Sequence, residues 1–152
     1  MKPVEIVMEF VAAVEAGDVD RAGSYLSDDF MFSGLMPTPM SREQYLDMLR
    51  GLLAAFPDWR LHLSDVQEEA GVVRATAHIT GTQTGDLVVP IPDLPVLPAT
   101  GRSIALPGET QLYSVRGSKI SAIHILVVPG GGFHGMYRQL GARLPLPSSI
   151  EG

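Results

Sequence analysis

The chain has 152 residues, 45% of them apolar, with a net charge of −6 and a pI near 5.1. This is one domain's worth of sequence with ample material for a core, which argues against disorder, and its eleven scattered basic residues leave no footprint for nucleic acid. With no cysteine, disulfides, thiolate metal sites and Cys nucleophiles are excluded.

The opening stretch, MKPVEIVMEFVAAVEAGD, carries glutamates inside its apolar run, which the central region of a signal peptide would not tolerate. No apolar run approaches the roughly 20 residues of a membrane span. A soluble, non-secreted domain without membrane contact is expected, cytoplasmic by default. Residues 3–16 read as a helix: Val4, Val7, Val11 and Val14 recur at helical spacing, Pro3 suits the first turn and Gly17 the end. Asp18 can cap a second short helix reaching about Leu26, and DDFMFSG (28–34) reads as a strand. Ser41 and Gln44 form a capping box that opens the clearest helix. Its stripe is Tyr45, Leu49, Leu52, Leu53 and Phe56, and Pro57 ends it.

Beyond Pro57 the period changes from 3.6 to 2. Trp59, Leu61 and Leu63 alternate with Arg60, His62 and Ser64, the pattern of a half-buried strand. Residues 71–85, 103–115 and 119–128 predict three more strands, with turns at EEAG and RGS. Long antiparallel strands after a block of helices predict an α+β fold, a curved sheet with helices on its concave side. Residues 86–101 hold prolines 90, 92, 95 and 98, too dense for a central strand. They predict a stiff apolar connection, either packed on the surface or serving as a lid over a cavity.

Four segments, GTQTGDL (81–87), ATGRSI (99–104), GSKISAIHI (117–125) and MYRQLG (136–141), occur in an order and spacing that resembles the SnoaL-like polyketide cyclase group of the NTF2-like superfamily. The resemblance spans nearly the whole chain, 1–152, as a single domain. It implies a cone in which a curved antiparallel sheet wraps the N-terminal helices around an apolar cavity. It also implies cofactor-independent aldol cyclisation of a polyketide-like substrate and, by analogy, a homodimer. Members with cyclase activity carry an acid/base aspartate just before the final Q-L-G helix. Counting along this chain puts that position at Val128 or Gly132. The histidine of the group's G-T-H-T-G is Gln83 here, and its usual tryptophan position holds His124.

Chemistry must therefore come from other groups. His124 shares parity with Ile120, Ala122, Leu126 and Val128, which predicts an imidazole pointing into the cone, able to pass protons near neutral pH. Glu109 shares parity with Gln111 and Tyr113 on the preceding strand, and pairing about the RGS turn sets 109–113 opposite 120–125. A carboxylate buried there would be an acid/base group or the partner of His124. Gln83, Gln111 and Tyr113 are candidates to hold an enolate oxygen. Tyr45, Trp59, Phe32 and Met36 are candidates for the wall of an apolar pocket, with Asp29 as a further polar group near it. His134 lies beside the glycines of PGGG, at the expected mouth, while His62 and His78 are expected to face outward. PGGG lacks the Lys-Ser/Thr of a phosphate loop. The histidines lack metal-ligand spacing, so no metal is expected, and the resemblance implies that no cofactor is used. Two functions remain open: a cyclase-like proton-transfer enzyme, with isomerase or hydrolase variants, and a non-catalytic small-ligand module.

Overall fold

The computed structural model describes residues 1–142 and 144. Its helices are α1 (Pro3–Glu15), α2 (Val19–Ser24), α3 (Arg42–Ala55) and α4 (Gly132–Gln139). Its strands are β1 (Leu26–Ser33), β2 (Met40–Ser41), β3 (Ser64–Glu69), β4 (Val72–Ala77), β5 (Thr80–Thr82), β6 (Ser103–Ala105), β7 (Glu109–Arg116) and β8 (Lys119–Leu126). Six strands form one sheet in the order β2-β1-β8-β7-β4-β3, antiparallel except for the β1–β8 pair. The pair β5–β6 continues the β4–β7 hairpin past a bend, so the predicted strands 71–85 and 103–115 each appear as two pieces.

Local chemistry sets the helix ends. Ser41 Oγ accepts from the Gln44 N–H at 3.3 Å, and Gln44 Oε1 accepts from the Ser41 N–H at 2.8 Å, the reciprocal box expected from the sequence. Asp18 caps α2 by accepting from the Arg21 N–H at 3.1 Å. The buried face of α1 (Ile6, Val7, Phe10, Val11, Val14) and that of α3 (Tyr45, Leu46, Leu49, Leu52) pack into one core with the inward side chains of the sheet. Truncating one of these, Leu49→Ala for example, costs roughly 2–5 kcal/mol.

Residues 59–63 alternate as predicted, with Trp59 and Leu61 buried, yet they make only one isolated bridge, Arg60 to Thr80. The ladder strand starts later, at Ser64, after His62 takes a left-handed backbone angle (φ 46°) that interrupts regular pairing, and Asp65 (φ 51°) lies at a register shift inside the strand.

The proline-rich connection 86–101 packs on the body of the protein and lines no part of the cavity described below. Leu87 and Leu97 bridge its two ends, Leu87 and Val89 are buried, and the Tyr137 hydroxyl donates to the Pro95 carbonyl at 2.9 Å. Its backbone lies so close to α3 that a Cβ at Gly51 would stand 2.2 Å from the Val88 carbonyl oxygen. The structure thus supports the packed surface connection and not the lid.

Candidate active site

The inner face of the sheet, α1, α3 and α4 enclose a partly open cavity of about 80 Å³. Its wall is largely apolar, with Phe10, Phe32, Trp59, Ile123 and Phe133 among its residues. Four polar side chains reach it: Glu109, Gln111 and Tyr113 from β7, and Tyr45 from α3. Leu35 is the one lining residue that is not buried, which places the opening beside the turn after β1, against the start of α4.

β7 delivers its three polar groups by simple alternation. Residues 109, 111 and 113 are buried while 110 and 112 face the other way. They are joined in a line: the Tyr113 hydroxyl donates to Gln111 Oε1 at 2.5 Å, and Gln111 Nε2 donates to Glu109 Oε2 at 2.9 Å. Burial pushes the Glu109 carboxyl up from its ordinary value, with the Gln111 hydrogen bond opposing the shift. The Tyr113 phenol is raised by burial, then by the neighbouring Tyr45 and Glu109. The Tyr45 phenol is raised by burial and makes no hydrogen bond with another described residue. Both phenols therefore keep their protons at neutral pH, and Tyr45, part of the cavity wall, keeps a hydroxyl that can donate. The Tyr45 ring stacks obliquely on Phe32, with centroids 4.6 Å apart, and Trp59 lies 5.6 Å from Phe56.

His124 is not in this cavity. It is exposed on the outer face of the sheet, opposite Leu112 of β7, with Nδ1 2.7 Å from the Ser33 hydroxyl. The reason is a β-bulge: Ser114 pairs with Ala122 and Val115 with Ile120, so Ser121 is an extra residue on β8. An inserted residue shifts the phase of everything beyond it. Ile120 points inward before the bulge, and Ile123 and Ile125 do so after it, leaving His124 outside. The expected pairing of Glu109 with His124 is corrected accordingly, and the register is shifted as well: Thr110–Tyr113 lie opposite Leu126–Ile123, while Ile120 and Ala122 pair with Val115 and Ser114.

Gln83 is also elsewhere. It is 0% exposed, but its Nε2 donates to the carbonyls of Leu97 (2.8 Å) and Pro98 (3.3 Å). Its Oε1 accepts from the Thr100 N–H (3.2 Å) and hydroxyl (2.7 Å). The amide is consumed in holding the 97–100 segment and has nothing left for an enolate. Met36 is half-buried against the core and does not line the cavity. His134 is half-buried on α4 with its Nε2 enclosed and unpartnered, and likewise lines no part of the cavity. Asp29 lies on the surface in a two-oxygen pair with Arg116 at 2.8 and 3.0 Å. His62 and His78 are exposed, as expected.

The site also includes wall residues that the sequence reading did not single out. Phe10 and Val14 come from the inward stripe of α1, and Gly132, Phe133 and Met136 from α4. α4 approaches this closely through glycine. A Cβ at Gly135 would stand 1.9 Å from the Gly130 carbonyl oxygen, and Gly130 and Gly132 take positive φ (84° and 64°). The Gln139 side chain then grips β6 from both sides, accepting from the Ala105 N–H at 2.7 Å and donating to the Ala105 carbonyl at 3.0 Å. Gln139 of MYRQLG thus meets Ala105, the residue next after ATGRSI, and Gln83 of GTQTGDL meets Thr100 within it.

Solved structures share this architecture. AclR, a candidate hydroxylase from Streptomyces galilaeus, superposes with a TM-score of 0.73 at 18% identity over 91% of this chain and 95% of its own. A candidate SnoaL-like polyketide cyclase from Jannaschia sp. CCS1 gives 0.66 at 17% identity, over 81% and 83%. An NTF2-like protein of unknown function from Cytophaga hutchinsonii gives 0.60 at 18% identity, over 85% and 92%. At these identities the likeness establishes the fold, which is the NTF2-like one. No curated protein matches the chain. The sequence model of the SnoaL-like domain matches residues 7–123, and the chain belongs to the SnoaL-like family.

Proposed function

We propose that the protein is a cofactor-independent proton-transfer enzyme of the polyketide-cyclase type, with Glu109 as its base. The observation that carries this reading is a single buried carboxylate opening into an apolar cavity beside a free phenol. Glu109 would remove a proton next to a substrate carbonyl, and the enolate oxygen would be met by the Tyr45 hydroxyl. Gln111 would hold the carboxylate through its amide, itself fixed by Tyr113. The proton passes to Glu109, the C–H electron pair becomes the C=C bond of the enolate as the carbonyl π pair moves to oxygen, and the enolate carbon then attacks a second carbonyl, whose oxygen takes the proton back from Glu109. A carboxyl whose proton affinity is raised by burial is a stronger base, once ionised, than an ordinary one. The carboxylate enters from β7, whereas the two positions counted for the group's aspartate hold Val128 and Gly132, of which Gly132 forms part of the wall.

At about 80 Å³ the cavity has room on the order of six water-sized atoms, so it takes the reacting end of a substrate with the remainder at the opening. Deuterium exchange at the α-carbon of cyclopentanone in D₂O, followed by NMR, tests the reading. Wild type is expected to exceed the buffer rate and Glu109→Gln to match it; equal exchange by both proteins removes the assignment. Among the described residues no helix is long and apolar enough to cross a membrane. The outer sheet face exposes Met31 (44%) and Leu126 (43%), which favours pairing of two copies there. Light scattering on the purified chain tests this, and a monomer at all concentrations overturns it.

A further inference from the structure

The surroundings of Glu109 favour a positive guest. The residue is 5% exposed, and no Lys, Arg or His lines the cavity. The carboxylate accepts one neutral hydrogen bond, to Oε2. Its Oε1 accepts none from the described residues, and the side chain is part of the cavity wall. A charge taken out of water without a counter-charge is costly, and a cation of the right size would relieve that cost. Six aromatic side chains (Phe10, Phe32, Tyr45, Trp59, Tyr113 and Phe133) line the same space, and aromatic rings attract cations. An anionic group would instead be desolvated beside a like charge, with nothing to pair it.

We infer that this cavity binds a small organic ammonium ion, its charge against Glu109 Oε1 and its alkyl groups against the aromatic wall. The size limit is that of the cavity: a tetramethylammonium head fits, and a longer ligand presents such a head with its chain leaving past Leu35. The site is the one proposed for proton transfer, but binding needs no turnover. Each assignment can therefore fail alone: the ketone exchange reports on one and equilibrium binding on the other.

Trp59 is the chain's one tryptophan and lies in the wall, so its fluorescence reports occupancy. The probes are tetramethylammonium chloride and tert-butanol, a neutral molecule of the same shape, titrated at constant ionic strength. Wild type is expected to bind the cation at least ~10-fold more tightly than the alcohol, and Glu109→Gln to bring the two within ~3-fold. Glu109→Asp, which keeps the charge, is expected to retain at least a ~3-fold preference. Comparable binding of both probes by wild type, a preference that survives in Glu109→Gln, or one lost in Glu109→Asp overturns the inference. So does the absence of tetramethylammonium saturation by about 100 mM.

Discussion

Two buried glutamines divide the roles of this molecule between them. Gln83 spends every donor and acceptor of its amide on the 97–100 segment, and that region is closed. Gln111 is used differently. It links Tyr113 to Glu109 and stops there, leaving Glu109 Oε1 and the Tyr45 hydroxyl without described partners on two residues that line the cavity. Both clusters are buried and polar, so burial does not separate them. Completeness of hydrogen bonding does: a saturated cluster holds structure, and an unsaturated one facing a cavity is available to a ligand.

Substitutions can break or sharpen that contrast. The largest effect is expected from Glu109→Gln, which should lower proton-transfer turnover by about 10²–10⁴-fold while leaving the fold intact. The same change should raise stability at neutral pH. The folded carboxyl has its proton affinity raised by burial. Its contribution is therefore favourable below the unfolded carboxyl's pKa and lost as pH climbs through the folded one. Thermal melts should show Glu109→Gln above wild type at pH 7, with the gap closing near pH 4. Tyr45→Phe follows, with turnover reduced by about 10²-fold, because one donor to a developing oxyanion is removed. A rate unchanged by this substitution would show that the enolate oxygen is held elsewhere.

Gln83→Ala should act in the opposite sense. It removes the side-chain partner of the Pro98 carbonyl and of the Thr100 N–H and hydroxyl, and one of the two donors to the Leu97 carbonyl, and denaturant titration should show a loss of about 3 kcal/mol. Turnover per folded molecule should stay at the wild-type level. The smallest effect is reserved for His124→Ala. An exposed ring bonded to Ser33 on the outer face should leave both turnover and its pH profile unchanged.

His124 also shows where reading the sequence stops. The parity rule worked on β7, where Glu109, Gln111 and Tyr113 alternate without interruption, and it placed three of the four polar groups correctly. It failed on β8 because Ser121 is an inserted residue, and nothing in KISAIHIL distinguishes a bulged serine from a regular one. Helix α3 was legible from its capping box and stripe, and with it Tyr45. Trp59 and Phe32 followed from alternation on their own segments. Gln83 was misread because its partners, the Leu97 and Pro98 carbonyls and Thr100, are far from it in sequence and are backbone groups for the most part. The wall formed by α4 was obscured for a related reason: close approach of a helix depends on glycines at 130, 132 and 135, whose effect is geometric and leaves no periodic signal.

The central claim is that Glu109 ionises inside the cavity. A ¹³C titration of the Glu109 side-chain carboxyl, assigned by its disappearance in Glu109→Gln, addresses it directly. The midpoint is expected above the ordinary glutamate range and should move when tetramethylammonium is bound. A carboxyl that titrates as in an exposed peptide, unmoved by the cation, would contradict the account.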